Sequence, residues 1–211
     1  MARQKEPLRI GVVAVQGDFP EHVRILGESF ATMRVPGEVF NLRTAADAER
    51  ADGVVIPGGE STTISKLLVR TGAHDVLVRR AREGLPIMGT CAGMILLAEQ
   101  GDEQVRKTDS KLLGLMHLQV DRNAFGRQRE SFETDLELDL PTFGEPVHAV
   151  FIRAPAIVRT WGDCRPIARF GDRIVGAEQG SLLGLAFHPE LTRDTRVHRY
   201  FLEKVHQFAS P

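Results

Sequence analysis

Cys91 lies in Gly89-Thr90-Cys91-Ala92-Gly93, between an apolar run ending at Met88 and a stretch of helical spacing that starts at Ala92. Small residues two places before and after a nucleophile permit the tight strand-to-helix turn that lifts its side chain above a sheet, here with sulfur in place of a serine oxygen. A helix beginning behind the thiol favours negative charge on sulfur, and the Ala92 amide would face a developing oxyanion. A lone cysteine serves equally as a small buried apolar residue, but the flanking glycines favour the nucleophile. Such a thiol needs a base that generates thiolate and later protonates a leaving group, and histidine titrates in the right range. Of the seven histidines, His188 is best placed: it follows a strand-like run and opens His188-Pro189-Glu190. Glu190 could take one ring N–H and fix the tautomer. Alone, that tripeptide is more often a polar turn; its pairing with the cysteine elbow gives it chemical meaning.

A third element is Pro57-Gly58-Gly59-Glu60-Ser61-Thr62-Thr63, between a predicted strand and a predicted helix. Its glycines let backbone amides approach a ligand, and helix-start amides can hold negative charge. The loop could also be a plain strand-to-helix turn with a hydroxyl cap. It is not a phosphate-binding P-loop, because no Gly-Lys-Ser/Thr follows. Open α/β sheets bind ligands at the carboxyl ends of their strands, so this loop and the Cys91 elbow should share one crevice. Two arginine-bearing segments, 122–128 and 151–155, could clamp a carboxylate or form surface ion pairs. His22, His117, His148, His198 and His206 show no zinc-ligand spacing, so no metal site is expected. Cys164 lacks an elbow and reads as passive.

The elements that must position these groups alternate along the first half of the chain. The apolar run over 8–15, interrupted by Arg9 and ended by Gln16-Gly17-Asp18, predicts a central strand buried on both faces. Helical spacing follows over 20–30 with Pro20 in the first turn, then strands over 35–42 and 53–56, helices over 62–70 and 74–83, a short strand over 86–89, and a helix over 92–100. This order predicts a parallel sheet covered by helices, a three-layer α/β sandwich. Beyond Gly114 the pattern turns to short strands over 115–120, 131–138, 147–152, 167–170, 174–178 and 182–186. A last helix is marked by Val197, Tyr200, Phe201, Val205 and Phe208 on one face. Residues 101–111 are polar and without period, and read as an exposed loop.

Bulk properties narrow the class. With 42% apolar residues, 26% charged residues and a formal net charge of −1, the 211-residue chain has no basic field, so nucleic acid is not an expected partner. Only two cysteines argue against a disulfide framework and suit a reducing compartment, with the cytoplasm the expected location. Residues 1–7 are charged rather than apolar, and no stretch approaches the roughly 18 apolar residues a membrane span needs. The length suits a single domain.

Together these residues resemble the class I, or triad, glutamine amidotransferases, whose fold is a flavodoxin-like sandwich with a mostly parallel sheet and a nucleophile elbow. Within that class the closer resemblance is to the glutaminase subunits of pyridoxal 5'-phosphate synthases. It is carried by Gln16-Gly17-Asp18 with Glu21-His22, Pro57 to Thr63, Gly89-Thr90-Cys91-Ala92-Gly93-Met94, Arg122-Asn123-Ala124-Phe125-Gly126-Arg127-Gln128, Phe151-Ile152-Arg153-Ala154-Pro155 and His188-Pro189-Glu190-Leu191-Thr192. The elbow and the histidine-proline-glutamate are common to many amidotransferases; the Pro57 to Thr63 loop and the Asn123 to Gln128 segment are much more specific. The resemblance implies one amidotransferase domain over 8–211 behind an extension over 1–7. It implies a catalytic triad of Cys91, His188 and Glu190, and glutamine contacts from Gly59, Glu60, Ser61, Arg122, Ile152 and Arg153. It also implies an oxyanion hole from the Gly59 and Ala92 amides, with no metal or organic cofactor. The implied partner is a synthase subunit folded as a (β/α)8 barrel, whose docking rearranges the Gly58-Gly59 region and switches on glutamine hydrolysis.

Overall fold

The computed structural model describes residues 7–108, 110–125, 131–141 and 143–210. Most of the expected 1–7 extension therefore lies outside the described residues, as do Gly126, Arg127 and Gln128.

The apolar runs become a ten-stranded sheet. Its strands are β1 (Leu8–Val13), β2 (Gly37–Leu42), β3 (Gly53–Ile56), β4 (Ile87–Thr90), β5 (Ala98–Gln100), β6 (Met116–Asp121), β9 (Ala156–Thr160), β10 (Arg165–Phe170), β11 (Arg173–Gln179) and β12 (Leu182–Leu185). A separate two-stranded ribbon pairs β7 (Ser131–Leu136) with β8 (Val147–Ile152). The order is β2-β1-β3-β4-β12-β11-β9-β6-β5, with β10 beside β11. From β2 to β12 every pairing is parallel. Beyond β12 the pairings turn antiparallel until β6 meets β5, so the short strands after Gly114, apart from β7 and β8, extend the same sheet.

Helices cover both faces of the parallel half, which is why its inner strands β3, β4 and β12 are buried at every position, while edge strand β2 exposes Glu38 and Asn41. On one side α1 (Phe19–Met33) packs on α7 (Arg196–Ala209); on the other α2 (Ala45–Arg50), α3 (Ser61–Arg70), α4 (Ala73–Arg82) and α5 (Ala92–Leu97) pack on one another and on the sheet. Val197, Phe201, Leu202 and Val205 of α7 are buried, while Tyr200 is half-buried and Phe208, at the end of the expected stripe, is exposed. No helix among the described residues is long and apolar enough to cross a membrane.

Four expectations change. The helix expected over 92–100 stops at Leu97, because Ala98 turns extended and Ala98–Gln100 pairs with β6 as an edge strand. The loop expected over 101–111 contains α6 (Glu103–Lys107), capped by the Asp102 carboxylate on the Val105 amide and anchored by buried Val105. Strand β9 was not anticipated; it joins β6 to β11. Neither was α2, which carries little apolar periodicity and is held by a reciprocal capping box between Thr44 and Asp47.

Candidate active site

Strands β1, β3, β4 and β12 are neighbours and point the same way, so the segments leaving their carboxyl ends converge on one edge of the sheet. Those segments are Gln16 to Asp18, Pro57 to Thr63, the Cys91 elbow and His188 to Glu190. Cys91 sits at φ 48°, ψ −103°, a backbone region that non-glycine residues rarely occupy. The turn is held by the Cys91 amide donating to Leu185 O at 2.7 Å and by Cys91 O accepting from the Ile95 amide at 3.2 Å. It also depends on Gly93: a Cβ there would stand 2.0 Å from Ile56 O, on the neighbouring strand's backbone. The sequence therefore sets a strained cysteine on a rigid support, an arrangement characteristic of functional sites.

His188 is fixed by its amide donating to Val150 O at 2.8 Å, and Pro189–Leu191 forms a 3₁₀ turn that brings Glu190 back beneath the ring. Nδ1 lies 2.7 Å from Glu190 Oε1. Nε2 is buried without a nitrogen or oxygen partner among the described residues, and the group interacting with the imidazole on the cleft side is Cys91. Burial opposes charge on this imidazole, but its interactions with Cys91 and Glu190 outweigh burial and push its pKa up to about 10. Burial pushes the Glu190 carboxyl up, against the pull of His188. His188 and Glu190 thus form a desolvated, hydrogen-bonded pair beside Cys91. Asp18 Oδ2 stands 3.6 Å from the same Nδ1. Asp18, His188 and Glu190 are close enough to bracket a cation, yet the Nδ1 proton donated to Glu190 leaves no lone pair there for a metal.

A cleft of about 430 Å³ opens over the sulfur, bordered by Gly59, Glu60, Ser61, Ala92, Arg122, Ile152, Arg153 and His188. All the residues expected to touch substrate therefore face one cavity, while Glu190 lies behind His188, fully buried. A larger groove of about 880 Å³, between the β7–β8 ribbon and β10, has no cysteine, serine or histidine among its described lining residues. The smaller cleft is the chemically equipped one. The Cys91 thiol is 4.0 Å from Ile152 O, and Arg153 next to it is also at positive φ, 42°.

The Pro57 to Thr63 loop does two jobs at once. The Glu60 carboxylate accepts from the Thr62 and Thr63 amides at 3.0 and 2.7 Å, capping α3, so those helix-start amides are already occupied rather than open to a ligand. Its Oε1 also takes the Arg122 guanidinium at 2.7 Å. Burial opposes charge on Glu60, but the Thr63 hydroxyl, the two amides and Arg122 hold its carboxyl down at about 2. Gly58 has no room for a side chain: a Cβ would come within 2.4 Å of His188 Cε1.

Two supports lie outside the expected set. Asp102 accepts the Arg122 amide at 2.8 Å while capping α6, so the segment expected to be a loose loop braces the arginine. His22, fully buried, stands beside Glu190, and buried Thr90 meets His22. His22 occurs in the quoted Glu21-His22 pair and Thr90 within the elbow, but nothing in their spacing says that they meet.

Residues 12–207 match the SNO glutamine amidotransferase family. The chain is 49% identical over 198 residues to the pyridoxal 5'-phosphate synthase subunit PdxT of Methanosarcina acetivorans, covering 94% of this chain and 98% of that protein. It is 52% identical over 196 residues to the protein of the same name from Archaeoglobus fulgidus, with 93% and 98% covered. Among solved structures, a glutamine amidotransferase crystal structure superposes with a TM-score of 0.81 at 42% identity, covering 93% of this chain and 98% of that one.

Proposed function

The chain belongs to the SNO glutamine amidotransferase family, and from that premise we propose that it hydrolyses L-glutamine to L-glutamate and ammonia through Cys91, His188 and Glu190. The ammonia goes to a pyridoxal 5'-phosphate synthase subunit, which builds the vitamin B6 cofactor from a pentose phosphate and a triose phosphate. The observation that carries the reading is the Cys91–His188–Glu190 array at the floor of a cleft, with His188 Nδ1 held 2.7 Å from Glu190.

The Cys91 sulfur attacks the side-chain carboxamide carbon, and the oxyanion is received by the Gly59 and Ala92 amides. His188 Nε2 gives its proton to the departing nitrogen as the C–N bond breaks, leaving a γ-glutamyl thioester and ammonia. Now neutral, His188 takes a proton from water, whose oxygen attacks the thioester; glutamate leaves and the His188–Cys91 pair is restored. Glu190 stays ionised throughout and stabilises the imidazolium. Arg122, poised on Glu60, offers its remaining N–H groups to the substrate carboxylate, while Ser61, Ile152 and Arg153 complete the wall.

Ammonia released into water would become ammonium, which is no nucleophile, so product must pass directly into a docked partner. The Gly58-Gly59 turn, pressed against His188, is the part of the site that docking rearranges. The chain works as one domain over 8–211, in the cytoplasm, with the synthase barrel as partner and no metal or organic cofactor of its own. Cys91→Ala is expected to abolish glutamate release in the presence of the synthase subunit while leaving the circular dichroism spectrum unchanged; appreciable release would remove Cys91 from the role of nucleophile.

A further inference from the structure

The Glu190 carboxylate has two oxygens, and the triad uses one. Oε1 accepts from His188, whereas Oε2 is fully buried and has no well-aligned donor among the described residues. His22 Nε2 lies 3.3 Å from Oε2, and the Glu190 backbone amide also favours the charged carboxylate. His22 Nε2 also lies 3.0 Å from Thr90 Oγ1, and His22 Nδ1 lies 3.1 Å from His198 Nε2. His198 Nδ1 ends the row, buried and without a partner. Helix α1 thus supplies His22 and helix α7 supplies His198, the two helices that pack together on one face of the sheet.

Two proton arrangements can run through this row. In one, His22 carries its proton on Nδ1 and gives it to His198. A lone pair then faces the Glu190 carboxylate, and His198 Nδ1–H is a buried donor with nothing to receive it. In the other, His198 Nε2–H donates to His22 Nδ1, and His22 Nε2–H faces Glu190 Oε2 and Thr90 Oγ1; the only orphan is a bare acceptor nitrogen. Orphaned buried N–H groups are rarer than under-satisfied acceptors, and a lone pair against a carboxylate is repulsive, so the second arrangement holds.

We propose that His22, aimed by His198 and shared with Thr90, is a positioning residue for the triad: its Nε2–H anchors Glu190 Oε2 so that Oε1 stays on His188. This rests on the triad reading above. Burial keeps both histidines neutral, with His22 well below its usual range and His198 down to about 3, as a one-way row requires. The charged and titratable groups facing the row are Cys91 and Asp18 on the His188 side, and Arg24, which donates to Glu190 O, with Asp194 at the His198 end.

Two substitutions of similar polarity separate anchoring from packing. Glutamine places a side-chain amide near the position of a histidine Nε2, and asparagine near Nδ1. In complexes with excess synthase subunit, His22→Gln is expected to keep kcat within about 3-fold of wild type. His22→Asn, which still meets His198 but cannot reach Glu190, should lose about 10- to 100-fold in kcat with the KM for glutamine unchanged, and its alkaline activity limit should move to lower pH. Wild-type kcat in His22→Asn, equal losses in both variants with an unmoved alkaline limit, or an Asn variant that fails to fold beside a folded Gln variant would each overturn the proposal. Wild-type complex is run alongside: turnover there with no difference between variants sinks this inference alone, whereas no glutamate from wild type sinks the triad reading first.

Discussion

At the scale of single residues, the site is a problem of holding charge where water is absent. His188 is nearly inaccessible, yet it is raised well above the ordinary histidine value because Cys91 and Glu190 both favour its protonated form. A raised folded value means that the imidazolium's contribution is complete below about 6.5 and is lost as pH rises through about 10. Glutamine turnover should therefore persist through neutral pH and fall on the alkaline side as His188 loses its proton near 10, the pair titrating as a unit. A fall centred close to the ordinary histidine value, measured as kcat/KM for glutamine against pH, would contradict the coupling. Glu190→Gln keeps the shape but removes the charge that stabilises the imidazolium; its expected loss in kcat is roughly 10²- to 10⁴-fold, smaller than that of Cys91→Ala. That Cys91, His188 and Glu190 come together was legible from residue types, because a cysteine between paired small residues gives meaning to a histidine two places from a glutamate. His22, Thr90 and Asp102 were not, since their roles come from contacts between elements distant in sequence.

At the scale of elements, the Cys91 elbow is a packing constraint. Gly93→Ala would drive a Cβ into Ile56 O at 2.0 Å and Ile56 C at 2.9 Å, rigid backbone rather than the end of a flexible side chain. The expected cost is about 1–3 kcal/mol in urea unfolding, with loss of glutamine turnover from a displaced Cys91; an Ala variant of wild-type stability and activity would show that the elbow relaxes freely. Helix α6 and its cap work at longer range. Asp102 holds the Arg122 backbone by one oxygen and the α6 start by the other. Asp102→Asn replaces an accepting oxygen with a donor, and is expected to raise the KM for glutamine about 3- to 10-fold with kcat little changed. Equal falls in kcat and kcat/KM would instead place Asp102 on the path to the transition state. Helix α6 was missed in the sequence because it presents only Val105 to the core, and α2 because it presents only Ala48. The Thr44–Asp47 spacing was the available signal for α2. Ala98–Gln100 has good helix formers, but pairing with β6 overrides them.

At the scale of the whole molecule, one sheet does two things. Its parallel half, with helices on both faces, gathers four strand ends into a reactive edge. Its antiparallel half carries the chain from β5 through β11 back to β12, whose end delivers His188 next to Cys91. Alternation of apolar runs and helical stripes made the first half readable, because burial on both faces leaves a strong pattern. The second half gave short strands without showing which neighbours they join, since strand order depends on register between distant segments. The α1–α7 layer closes the opposite face and brings His22 to His198, so the structural core and the support of the triad are continuous. The turn from buried Gly58 to exposed Gly59 lies against buried His188 at the rim of that core.

The most direct test is glutamate release from L-glutamine by the purified chain, alone and with excess pyridoxal 5'-phosphate synthase subunit, with Cys91→Ala run in parallel. Strong activation by the synthase subunit, absent in Cys91→Ala, is expected. No glutamate from the folded wild-type chain with a matched synthase subunit, or equal release from Cys91→Ala, would contradict a Cys91-dependent glutaminase that feeds this partner.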